Sequence, residues 1–141
     1  MTTDVTAFGK TSRRTPSKAV WAGRVLSGLT ILFMLMDAVM KLVMAPPSVQ
    51  ATTALGFPAA AIIPIGAIGL ICTILYAIPR TAVLGAILLT GYYGGAIASQ
   101  VRVDGPLFST VLFGVYLGII MWAGLWLRDA RVRNLLSFGA R

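Results

Sequence analysis

Four apolar stretches, each long enough to cross a bilayer, decide most of what this chain can become: Trp21–Lys41, Pro58–Ile78, Thr81–Val101 and Leu107–Leu127. The last three contain no Asp, Glu, Lys or Arg. A helix of about twenty residues rises ~30 Å, which matches the hydrocarbon thickness of a membrane. In hydrocarbon every backbone N–H and C=O must be bonded internally, which leaves only helices and closed barrels. Barrel strands alternate apolar with polar residues, whereas these runs are continuously apolar. The expected fold class is therefore all-α, an integral-membrane four-helix up-down bundle.

Composition agrees. Only 11% of the 141 residues are charged, against about 25% in a soluble domain. The length suits one compact unit: a basic mobile tail over residues 1–18, a four-helix membrane domain over 19–128, and a basic cytoplasmic tail over 129–141. There is no histidine and a single cysteine, Cys72. Zinc and haem sites draw on His or several Cys, so no protein-ligated metal or haem is expected. Cys72 falls in the middle of a span, where a lone thiol packs as a small apolar residue.

The connections are short and carry turn chemistry. Pro79-Arg80 joins spans two and three, and Val103-Asp104-Gly105-Pro106 joins spans three and four. The longest link, 42–57, contains Pro46-Pro47 and ends at Gly56. Pro at the start and Gly past the end are the marks of a short helix, here expected to lie at the membrane interface. Pro64 is expected to kink span two. Near the N-terminus, Ser12-Arg13-Arg14 is followed by Thr15-Pro16-Ser17, not by the apolar pair of an export signal. The first segment is expected to remain as a span.

The net charge of +8 could suggest nucleic acid, but its distribution argues against that partner. Lys10, Arg13, Arg14, Lys18 and Arg24 gather at the N-terminal end, Arg80 in a turn, and Arg128, Arg131, Arg133 and Arg141 at the C-terminal end. Only Lys41 and Arg102 fall on the opposite side. Such asymmetry orients helices by the positive-inside rule and suits anionic headgroups. A multi-pass protein of the bacterial inner membrane, with both termini cytoplasmic, is the expected localisation.

Asp37 and Lys41 are the costly residues. Each charge at membrane depth costs ~2.5–3.5 kcal/mol on insertion scales, and such groups generally face protein or water at a site. Four residues apart, acid first, they share a helix face in the better order for an ion pair. Topology places Thr90, Tyr93 and Gln100 of span three, Arg102 just past its end, and Tyr116 of span four in the middle and outer part of the bundle. Asp37 and Lys41 are the catalytic candidates, and Thr90, Tyr93, Gln100, Arg102 and Tyr116 the ligand-binding ones. Helix glue, with Asp37 held by Lys41 or Arg102, is the structural alternative. Tyr92 and Tyr93 point in different directions, so at most one is expected to line a pocket. Trp122 and Trp126 read as interfacial belt. The Gly91–Gly95 and Gly114–Gly118 spacings fit close packing inside one bundle better than dimerisation.

A family resemblance rests on residues spread over about 20–138. The first span has Ser27-Gly28-Leu29, Phe33 and Asp37-Ala38-Val39-Met40-Lys41-Leu42. Leu55-Gly56-Phe57-Pro58 leads to Cys72-Thr73-Ile74-Leu75-Tyr76-Ala77-Ile78-Pro79-Arg80-Thr81. Leu84-Gly85-Ala86, Leu89-Thr90-Gly91-Tyr92, Gly94-Gly95-Ala96, Pro106-Leu107-Phe108 and Leu125-Trp126-Leu127-Arg128-Asp129 complete it. Together these resemble the DoxX-like family of small four-helix bacterial membrane proteins. The resemblance implies an inner-membrane bundle and, loosely, an association with quinone-coupled or other membrane redox metabolism. Many relatives carry Glu where Gly69 stands and His where Gln100 stands, so two proton-handling groups are missing here.

Three functions follow from this reading. The leading one is a binding or accessory subunit that holds a lipophilic small molecule, a quinone or an isoprenoid, in an outward-facing polar pocket. The second is a membrane-integral enzyme using Asp37 as general base on a lipid-soluble substrate, with Lys41 or Arg102 stabilising negative charge. The third is a scaffold or an oligomeric transporter. The bilayer is a partner in all three, and a second copy of the chain or a membrane redox protein is a further candidate.

Overall fold

A computed structural model describes residues 17–137. The N-terminal tail except for its last two residues, and 138–141 of the C-terminal tail, lie outside that range. The order is α1 (Lys18–Leu42), α2 (Pro46–Ala54), a 3-10 turn at Ala59–Ala61, α3 (Ile62–Ala77), α4 (Ala82–Arg102), a π-turn at Leu107–Val111, α5 (Leu112–Arg128) and α6 (Ala130–Leu136). Four helical segments are long and apolar enough to cross a membrane: Lys18–Leu42, Ala59–Ala77, Ala82–Arg102 and Leu107–Arg128. Their boundaries fall within a few residues of those expected.

Local chemistry sets the ends. The Ser17 hydroxyl accepts from the Val20 N–H and caps α1. Pro46 and Pro47 occupy the first turn of α2, where a missing N–H costs nothing. Gly56, at φ +87°, ends the α2 link in the left-handed region that glycine adopts without penalty. Pro64 falls in the first turn of α3, just after the 3-10 turn, and so interrupts no intrahelical bond in mid-span. The irregularity expected there is a change from 3-10 to α at the start of the span.

The bundle closes in the cyclic order α1, α3, α4, α5, each packed on the next. The ends of the helices that carry the chain termini are drawn tightly together. A Cβ on Gly124 would lie 2.8 Å from the Ser27 hydroxyl, so α1 and α5 meet nearly backbone to backbone. A Cβ on Gly85 would lie 2.2 Å from the Tyr76 backbone nitrogen, locking α4 onto α3. Tyr76, fully buried, ties the same end: it donates to the Met121 carbonyl at 2.8 Å and accepts from Ser27 at 2.9 Å. Arg128 lies over its ring at 5.1 Å and donates to its carbonyl. Met34, Leu89, Met121, Leu125 and the buried Cys72 complete the core.

The outer surface is apolar on every side. Leu29, Leu32, Leu84, Ile87 and Ile119 are all more than half exposed. In water such a surface would drive association. In lipid it is the ordinary outside of a bundle, and the chain is a multi-pass membrane protein.

Candidate functional site

Toward the α2 end the four helices separate and enclose a cavity of about 560 Å³. Phe33, Met34, Asp37 and Lys41 of α1 form one wall, Ile65 and Ile68 of α3 another, and Tyr92, Tyr93 and Gln100 of α4 face them. Phe113 and Leu117 of α5 close the side, and Phe33 meets Phe113 edge-on with ring centroids 5.4 Å apart. Ala51 and Thr52 of α2, with Leu55 just after it, form the cap. The π-turn brings Thr110 into the lining, and such irregular turns recur beside functional sites.

Lys41 does not extend toward the headgroups. Its ammonium bends back one helical turn and bonds the Asp37 carboxylate at 2.5 Å. The pair presents almost no net charge to the cavity, and one ammonium proton is committed to it. Tyr92 also neighbours the Asp37 carboxylate. Its hydroxyl fills the space that Gly69 leaves, since a Cβ there would sit 3.2 Å away. At Gly69, where the resemblance places a glutamate in many relatives, a tyrosine hydroxyl reaches across from α4.

Other hydroxyls in the wall are already used as donors. Thr52 bonds the Ser48 carbonyl, Ser99 that of Gly95, and Thr110 that of Pro106, each one turn back. Tyr93 differs. It is only 4% exposed, and its hydroxyl is buried without a partner among the described residues. A buried polar group left unbonded costs ~1–3 kcal/mol, a cost that an acceptor reaching it from the cavity would relieve. The remaining Lys41 protons and the Gln100 amide offer donors in the same space.

The candidate residues named from the sequence therefore divide. Asp37, Lys41, Tyr93 and Gln100 come together around the cavity. Thr90 does not: its hydroxyl donates to Ala86 and accepts from the Trp122 indole at 2.9 Å, a bond joining α4 to α5. Trp122 is correspondingly an interhelical partner, while Trp126 remains largely exposed. Tyr116 is 44% exposed and lies two residues from Gly114, on the opposite side of α5 from the cavity. Arg102 stands outside the lining and donates to the Leu55 carbonyl, fastening the end of α2 to α4. Tyr92 lines the cavity together with Tyr93, against the expectation that only one of them would. About 100° separates neighbours on a helix, and a cavity this wide accepts both. The Gly114–Gly118 spacing packs against α4 through Ile97 and Tyr93, whereas Gly91 and Gly95 meet nothing.

At the opposite end two arginines are held in structural bonds. Arg131 reaches the Pro79 carbonyl, and Arg133 those of Trp126 and Leu127. Asp129 caps α6 by accepting from the Arg131 N–H. Burial alone would raise the Asp129 carboxyl, but the Arg131 hydrogen bonds, with the charges of Arg131 and Arg128, hold it below the ordinary carboxylate value.

Comparison with protein families matches residues 25–124 to the DoxX-like family. The comparisons found no match among curated proteins or solved structures.

Proposed function

Since the chain belongs to the DoxX-like family and is a multi-pass membrane protein, we propose that it is a binding or accessory subunit of the bacterial inner membrane that holds a lipophilic small molecule in this cavity. Both termini face the cytoplasm on this reading, and the Asp37–Lys41 end faces outward. The observation that carries it is the cavity itself, walled by apolar side chains around the Asp37–Lys41 pair and the Gln100 amide, with the Tyr93 hydroxyl buried beside it without a partner among the described residues. A cavity of about 560 Å³ lies in the usual range for small-molecule sites. A molecule with carbonyl or hydroxyl oxygens and an apolar body suits that wall, which makes a quinone or an isoprenoid the leading class. This in turn supports a link to membrane redox metabolism.

Asp37 and Lys41 set the polarity of the site on this reading and are not its reacting groups. As a general base, Asp37 would have to accept a substrate proton while already receiving one hydrogen bond from Lys41 at 2.5 Å. Solvent extraction of the purified protein followed by mass spectrometry tests the proposal. One lipophile should be enriched over bulk membrane lipid, and Asp37→Asn should lower its yield. An extract that mirrors the bulk lipid in both proteins would refute it.

A further inference from the structure

The cavity has two ends, and they are built differently. Its α2 end is covered by Ala51, Thr52 and Leu55, and the Arg102 guanidinium fastens Leu55 to α4. Its flank between α3 and α4 reaches the surface beside Gly91, Gly95 and Ile68. These helices touch backbone to backbone at Gly85 and Tyr76, near their common turn, and further along the Tyr92 side chain bridges them at Gly69. One turn or more beyond Gly85, Gly91 and Gly95 line the cavity while exposed at the surface, and a Cβ on either would meet nothing within 4 Å. Ile68, 54% exposed, stands opposite on α3 in the same lining. The result is a notch at membrane depth, floored by glycine, that joins the cavity to lipid.

We infer that the cavity is loaded sideways from the bilayer, through the Gly91–Gly95 notch, by a single-tailed lipid-soluble molecule with an uncharged, oxygen-bearing head. This rests on the ligand-binding reading above and adds the route and the ligand class. The head is uncharged because Asp37 and Lys41 neutralise one another, and an anionic head would have to displace Asp37 from Lys41. It carries an acceptor oxygen because the Lys41 ammonium and the Gln100 amide offer donors to the cavity, with the Tyr93 hydroxyl, buried without a partner among the described residues, beside it. It has one tail because the ligand body leaves the cavity through one opening, beside Gly91 and Gly95, into lipid. Gly91 and Gly95 are thereby specificity-determining positions.

Uptake of decyl-benzoquinone from donor vesicles by the full chain in phospholipid nanodiscs tests the route, with empty nanodiscs as background. The phospholipid is present in excess, so retention above background reports preference for the single-tailed ligand over a two-tailed lipid. Gly91→Leu and Gly95→Leu should slow uptake at least tenfold, and Ile68→Trp should do so from the other side of the notch. Gly94→Leu is the control: Gly94 is exposed, outside the lining, and has equal room for a side chain. It should match wild type, and Arg102→Ala should stay within twofold. Unchanged uptake in all three blocking variants, or acceleration by Arg102→Ala, would overturn the lateral route while leaving the binding site intact. Retention by wild type no greater than that of empty nanodiscs would overturn the binding site itself.

Discussion

The Tyr93 hydroxyl and the Asp37–Lys41 pair respond to substitution in opposite ways. Tyr93→Phe removes a donor that has no partner, so the ligand-free protein should gain stability, by about 1–3 kcal/mol if the desolvation cost is fully recovered. The same change should weaken retention of a quinone at least tenfold. A thermal melt with and without decyl-benzoquinone checks both signs. Lys41→Met does the reverse, leaving the Asp37 carboxylate without its bonded cation. The carboxylate is 30% exposed, so the loss should fall near 1–3 kcal/mol, below the ~3–5 kcal/mol of a fully buried pair. Asp37→Leu combined with Lys41→Met should recover most of it, as a double-mutant cycle in detergent would show. The ion pair was legible in the sequence because two charges four apart on an apolar helix leave little other geometry. Thr90 and Tyr116 lie outside the cavity lining, since topology supplies the height of a residue but not its face. In a span that is apolar all round, the pattern contains no phase to say which side turns inward.

Elements were easier to read where backbone chemistry is unusual. Pro46-Pro47 and Gly56 bracket α2 as their fixed and permissive φ values require. By contrast α6 was hidden in a basic tail, since seven residues give too short a pattern to stand out. Its arginines bond carbonyls at the ends of α3 and α5, contacts that no local spacing reveals. Asp129 should make α6 sensitive to acid. Because its folded carboxyl titrates below the unfolded value of about 4, the cap contributes fully above that value and is lost as pH falls through the lower folded one. Amide exchange over 130–136 should therefore be constant from pH 5 to 8, after correction for intrinsic rates, and should accelerate below pH 4. Asp129→Ala should show the faster exchange at neutral pH. At the α3–α4 turn, Gly85→Ala places a methyl 2.2 Å from the Tyr76 nitrogen. It should cost at least the upper end of ~1–3 kcal/mol for overpacking, whereas Gly91→Ala should be neutral in the same melt.

For the whole molecule, four long apolar runs, three of them without a charge, made the membrane bundle evident, since hydrocarbon tolerates so few backbone solutions. The cyclic order of the helices and the cavity between them were not legible. They depend on how α3 and α4 are spaced, by the backbone contact of Gly85 with Tyr76 at one end and by the Tyr92 side chain against Gly69 further along. The proposed orientation can be read with single cysteines in a Cys72→Ala background. A cysteine replacing exposed Thr53 should be labelled by an impermeant maleimide from outside, and one replacing exposed Ser137 only after the membrane is opened. The central claim, that this bundle holds a lipid-soluble oxygen-bearing molecule, is tested most directly by a high-resolution structure of protein extracted without delipidation. Elongated non-protein density within hydrogen-bond distance of the Tyr93 hydroxyl, leaving between Gly91 and Ile68, is the predicted result. A collapsed cavity with the Tyr93 hydroxyl bonded to a protein group would contradict it.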